Sequence, residues 1–197
     1  MAGAEAEFRT VSSTVLKPSD ILCTNCGLCC DGSLFADVEL ANRKEAITLE
    51  VMGLVVEDAE EGEKTGLLLQ PCAALKNKRC TIYQFRPRCC RTFECRLLQE
   101  VNEGSTPLNL ASEKIAEALA KVAGINRLLA GCGPSDQTLP LKERCEETLA
   151  LLNERNSRDP SVHLKYAALE QAVLSLETLI QETFLNKTTA SGENFSC

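Results

Sequence analysis

Nine of the twelve cysteines of this 197-residue chain fall between Cys23 and Cys95. The run opens as Cys23-Thr24-Asn25-Cys26-Gly27-Leu28-Cys29-Cys30, passes through Cys72 and Cys80, and closes as Cys89-Cys90-Arg91-Thr92-Phe93-Glu94-Cys95. Two residues between cysteines let both sulfurs of one tight loop face the same cation. Cys23, Cys26 and Cys29 repeat that step twice over, so the chemistry to expect is thiolate chelation of a metal.

Two kinds of metal fit the spacing. Four thiolates in tetrahedral array close around zinc, and eight cysteines suffice for two such sites. The same three cysteines also reproduce the start of the iron–sulfur run Cys-x2-Cys-x2-Cys-x3-Cys-Pro. The fourth position departs from it, because Cys30 follows at once and residue 33 is Ser. A remote cysteine such as Cys72 or Cys95 would then have to complete a cluster. Spacing does not choose between zinc and iron, nor between mononuclear, dinuclear and cluster forms. Successive side chains diverge, so Cys29 and Cys30 would serve two neighbouring ions, or leave one sulfur for a disulfide or for packing.

Other chemistries find little support. The single histidine, His163, lies in a helical segment far along the chain from the cysteines, which argues against a cysteine–histidine nucleophile. There is no His-Glu-x-x-His and no Gly-x-x-x-x-Gly-Lys, and Gly131-Cys132-Gly133 is too short for a dinucleotide fingerprint. Cys132 and Cys145 read as small packing residues of helices, and Cys197 as an incidental tail thiol.

The net charge of -7 argues against a nucleic-acid partner, since phosphate contacts need a cationic excess. Between Cys72 and Leu97, however, Lys76, Lys78, Arg79, Arg86, Arg88, Arg91 and Arg96 face only Glu94. Cations of that density offset the negative charge of a metal held by four thiolates and donate hydrogen bonds to sulfur; the sharper alternative is a surface for an anionic partner. The start of the chain has neither a basic region nor an apolar stretch after it, and no run approaches about 18 apolar residues. The expectation is a cytoplasmic protein with no membrane span, whose clustered thiols are ligands rather than cystines.

The elements that must position the sulfurs follow. Residues 1–20 read as a lead-in, with turn and cap chemistry at Pro18-Ser19-Asp20. Residues 21–100 form the metal-binding unit, with one helix from Val38 to Met52, a strand at Gly53 to Val56, an acidic loop to Thr65, and a partner strand at Gly66 to Gln70. Residues 101–186 form a helical module with starts at Thr106-Pro107, Pro140 and Asp159-Pro160. Its last helix carries a heptad-like seam of Val162, Tyr166, Leu169, Val173, Leu176 and Ile180, suited to packing within the chain or to a protein partner. Residues 187–197 read as a disordered tail. The fold class expected is α+β, predominantly α: a small irregular, metal-stapled cysteine-cluster domain followed by about three helices.

The collinear order Cys-x-x-Cys-Gly-x-Cys-Cys, Pro71-Cys72, Cys80-Thr81-Ile82-Tyr83, then Arg86-Pro87-x-x-Cys-Arg-x-Phe-x-Cys resembles the YkgJ-like or CxxCxxCC family, known as a zinc- or iron-chelating domain. The resemblance implies metal ligands at Cys23, Cys26, Cys29, Cys30, Cys72, Cys80, Cys90 and Cys95, and motif positions at Gly27, Tyr83, Arg86, Pro87, Arg91 and Phe93. Cys89 is an extra thiol beside Cys90. Some relatives resemble flagellin lysine methylases, so the resemblance implies a metal-binding protein and, as the alternative, a metal-dependent protein-modifying enzyme. Metal sequestration or delivery is a third use of the same thiols.

Overall fold

Pro18 sits in the first turn of a helix rather than in a turn before the cysteines. Its fixed backbone suits that position, and the Asp20 carboxylate receives the Lys17 N–H at 3.3 Å. The result is α1, Pro18–Cys26, which carries Cys23 and Cys26 one turn apart on the same face. Gly27 ends it in the left-handed region, at φ 80°. The structure, a computed structural model, describes residues 17–57, 66–155 and 159–185. The expected lead-in before residue 17, most of the acidic loop and the expected tail, with Cys197, lie outside them.

The expected helix over Val38 to Met52 is shorter. Its first residues form β1, Asp37–Glu39, and the helix α2 spans Arg43–Val51. Reciprocal capping fixes that start: Asn42 Oδ1 accepts the Glu45 N–H at 3.1 Å, and Glu45 Oε2 accepts the Ala41 N–H at 3.0 Å. Strands β2, Val56–Glu57, and β3, Leu67–Leu69, pair antiparallel, so of the strand expected over Gly53 to Val56 only Val56 is paired, and β1 joins on the other edge of β3. A hairpin follows, β4 Leu75–Lys76 with β5 Arg79–Cys80, turned by Asn77 and Lys78, both at positive φ. A short 3-10 turn at Tyr83–Phe85 then leads to α3, Arg88–Thr92, and α4, Arg96–Asn102.

Three long helices complete the chain: α5, Leu108–Cys132, α6, Leu141–Arg155, and α7, Pro160–Thr183. The starts near Pro107, Pro140 and Asp159 hold, and the Asp159 carboxylate caps α7 by accepting the Ser161 N–H at 2.8 Å. The α7 seam packs against α5 and α6, with Leu169, Leu176 and Ile180 buried. Cys145 is buried in this core and Cys132 packs against it. The fold is thus predominantly α with a small irregular β region. Among the described residues no helix is long and apolar enough to cross a membrane.

Two apolar clusters result. The larger joins Leu22, Leu28, Leu97 and Leu98 of the cysteine segment to α5, α6 and α7. The smaller lies under the sheet and has six buried members: Leu40, Ala46, Leu49, Leu54, Leu68 and Ala74. Gly32 pins the cysteine segment to α6, because its carbonyl accepts the Leu141 N–H at 3.0 Å and its φ is +77°. A Cβ there would lie 3.1 Å from the Pro140 Cα and 3.3 Å from the Pro71 Cγ. Gly32→Ala is therefore expected to lower stability by about 1–3 kcal/mol in denaturant unfolding. Gly53→Ala, with φ +81° but nothing within 4 Å, pays the backbone strain alone and should cost less.

Candidate metal centre

One cavity of about 430 Å³ opens between the two clusters, and all eight cysteines of the motif line it. Each is a free thiol. Their positions follow from local structure. Cys23 and Cys26 stand on α1, Cys29 and Cys30 in the turn after Gly27, and Cys95 at the N-cap of α4, which packs against α1. Cys72 is tied to Cys30 by its N–H, which donates to the Cys30 carbonyl at 2.8 Å. Cys80 returns to the same place through the hairpin, opposite Leu75, whose N–H donates to the Cys72 carbonyl at 2.9 Å. Cys90 arrives on α3.

Electrostatics sorts the thiols into two sets. Cys23 is disfavoured as a thiolate by Cys95, and Cys26 by Cys95 and Cys23. Cys29 feels Cys26, Cys95 and Cys23, and across the boundary its neighbour Cys30. Cys30 in turn feels Cys90, Cys72 and Cys80, and Cys90 feels Cys72 and Cys80. One set is therefore Cys23, Cys26, Cys29 and Cys95; the other is Cys30, Cys72, Cys80 and Cys90. As they stand these side chains do not form a coordination shell. Among the described residues, no group of three or more His, Cys, Asp or Glu is arranged so that it could hold a metal ion. Charge–charge coupling reaches well beyond a zinc–sulfur bond of about 2.3 Å. The sulfurs share two neighbourhoods, and side-chain rotation would have to draw them in.

Backbone amides already favour the thiolate form at three of these positions. The Leu28 N–H faces the Cys26 sulfur, the Ala74 and Leu75 N–H groups face Cys72, and those of Leu97 and Leu98 at the start of α4 face Cys95. Burial opposes them. It is the largest effect on each shifted thiol, pushing Cys23 and Cys90 up to about 11 and Cys26 and Cys30 up to about 12, and Cys29 well above the ordinary value. Arg86 works against that trend in both sets, lowering Cys23 of the first and Cys90 of the second.

The motif residues that are not cysteines hold Arg86 and α3 in place. The Arg86 guanidinium lies 3.7 Å over the Tyr83 ring and its Nε donates to the Tyr83 carbonyl at 3.1 Å, while Arg91 Nη1 donates to the Arg86 carbonyl at 2.7 Å. Phe93 meets Phe35 edge to face at 5.2 Å. Sequence reasoning missed Glu45, whose Oε1 accepts the Arg88 N–H at 2.9 Å and so ties α2 to the start of α3, two residues before Cys90. The pattern Asn42-x-x-Glu45 is its only sequence signal. Cys89 is buried and disulfide-bonded, so it is not a free thiol like Cys90. His163 is exposed on α7.

A pH dependence follows. Thiols whose pKa is raised by folding, from 9.0 to about 11 or 12, favour the metal-free fold below pH 9, and that contribution is lost as pH rises through the folded values. Whatever order the cysteine segment keeps without metal should be lost between about pH 9 and pH 12, whereas thiolates bound to metal no longer titrate there. Thiolate ligation at pH 7 should displace protons from the ligand thiols, up to about four for each ion bound, read by calorimetry in buffers of different ionisation enthalpy. Release near zero would mean that the thiols are not the ligands.

Residues 22–115 match the model of the CxxCxxCC family, described as "putative zinc- or iron-chelating domain". The match contains every motif cysteine and ends in the first part of α5. Comparison with curated proteins and with solved structures finds no match.

Proposed function

We propose that the segment matching the zinc- or iron-chelating family binds two metal ions, one in each thiol set: Cys23, Cys26, Cys29 and Cys95 for the first, Cys30, Cys72, Cys80 and Cys90 for the second. The observation that carries the reading is the split between adjacent residues. Cys29 couples mainly to one group of sulfurs and Cys30 only to the other among the cysteines. Eight thiols thereby give four donors per ion, the number a closed tetrahedral site takes. Divalent ions in two such sites leave a net negative charge on the thiolate groups, and Arg86 stands where it offsets both.

When bound, the metal supplies the cross-links that the small sheet cluster lacks. The protein supplies amide hydrogen bonds to sulfur, a guanidinium shared by the two sets, and apolar walls that exclude water. Anaerobic purification with metal analysis and visible absorption tests the reading. A colourless protein carrying two zinc ions, or one carrying two irons with the absorption of thiolate-bound iron and no acid-labile sulfide, is expected. Brown protein with labile sulfide would replace two separate ions by a cluster, and protein free of transition metal would remove the proposal.

A further inference from the structure

Residues 76–91 carry six Lys or Arg and no Asp or Glu, in a chain whose net charge is -7. Arg86 bears on the thiols, and Arg91 reaches Glu45 at 4.0 Å. Lys76, Lys78 and Arg79 are exposed, and among the described residues none of them forms an ion pair within 4.0 Å. Lys78 acts on the Asp31 carboxylate, but none of the three is a leading influence on the motif thiols whose pKa is shifted. Charge balance at the metal centre therefore does not account for them.

The hairpin keeps these cations at a local cost. Lys76 stands directly opposite Arg79 in the β4–β5 pair, where like charges repel. The two-residue turn between them has positive φ at both positions, a turn best served by Asn-Gly. Asn77 takes the first position, but Lys78 takes the second at φ 63°, in the left-handed region that glycine occupies without strain. Two unfavourable choices within four residues gather three cations at one exposed tip. Packing would select against both, so the tip is a place to look for function. The 3-10 turn that follows holds Tyr83 and Phe85, 48% and 60% exposed.

We infer that the hairpin tip and this turn form a docking surface for an acidic, extended segment of a partner protein. Its carboxylates meet Lys76, Lys78 and Arg79, and an apolar side chain of it packs on Phe85. Exposed aromatic rings near arginine are the side chains that anchor protein interfaces. A nucleic acid carries charge along its whole length and would run from this patch onto a surface of net negative charge. A peptide need be no longer than the patch. The inference does not rest on which metal the thiols take, since none of these side chains is a ligand.

Fluorescence anisotropy with a labelled peptide of Asp, Glu and interspersed Leu tests this on the full chain, purified anaerobically with its metal content measured. Binding to the wild type that weakens as salt rises is expected. Lys76→Glu turns the repelling pair into an attracting one and Lys78→Gly relieves the turn, so both should hold or raise the denaturant midpoint. Yet Lys76→Glu is expected to weaken peptide binding about 5-fold or more and Lys78→Gly about 2-fold, a loss of affinity without a loss of fold. Phe85→Ala should weaken this peptide about 5-fold and leave an analogue with Ser for Leu unchanged. No binding by the wild type, or equal affinity in both hairpin variants, would overturn the inference. Tighter binding of a single-stranded oligonucleotide of the same charge would do the same. A fall in metal content in place of a fall in peptide affinity would return these cations to charge balance at the thiols, and would overturn it too.

Discussion

Removing the metal with a strong chelator is expected to unfold the sheet and hairpin while α5, α6 and α7 stay helical. The cluster under the sheet has six buried members, two of them alanine, and it must order strands, α2 and the hairpin. Side chains so few cannot offset the chain entropy of that many residues, which is why small units of this kind rely on a metal. A structural zinc site contributes about 10–16 kcal/mol of apparent binding energy, more than the whole stability of many domains. The long helices have their own core, from Ala111 through Leu129 to Ile180 and Phe184. Hydrogen exchange should therefore show amides of β1, β3 and the hairpin losing protection on chelation, with α5 and α7 little changed. Full protection of β3 without metal would show that the thiols do not staple the fold.

Cys29→Ser and Cys30→Ser should each remove one ion, and not the same one. The two residues are neighbours in sequence, yet the proposed sites place Cys29 with Cys23, Cys26 and Cys95, and Cys30 with Cys72, Cys80 and Cys90. Loss of one thiolate from four leaves a site that zinc or iron binds far more weakly; outer partners of a ligand alone account for about 10–100-fold in affinity. Metal content should fall by half in each single variant and nearly to zero in the double variant. Exchange protection then separates the two. Cys30→Ser should loosen the hairpin, whereas Cys29→Ser should loosen the contact of α1 with α4. If both variants lose both ions, the eight thiols form one centre rather than two.

The gathering of these cysteines at one place was legible in their spacing, and how they divide around the cavity was not. Spacing marks Cys23, Cys26 and Cys29 as a group because two residues between cysteines let the sulfurs of one tight loop face the same cation. It leaves their fourth partner open between Cys72 and Cys95. The choice of Cys95 depends on α4 packing against α1, a contact between residues about seventy apart that no local pattern encodes. The long helices could be located from Pro107, Pro140 and Asp159, where proline and capping chemistry punctuate strong periodicity.

Short elements were harder to read. Val38 and Leu40 carry a pattern compatible with helix, but pairing to Leu68 and the cap at Asn42 take precedence there. Pro18 fits a turn and a helix start equally well by composition, and only the structure shows it in the first turn of α1.

The most direct test of two separate four-thiol sites is an anaerobic titration of the metal-free chain with cobalt(II). Sulfur-to-cobalt charge-transfer absorption counts thiolates per ion, and visible bands report tetrahedral geometry. The account predicts saturation at two equivalents, with four thiolates on each ion and one equivalent lost in Cys29→Ser or Cys30→Ser. Saturation at one equivalent, or cobalt bound without sulfur charge transfer, would contradict it.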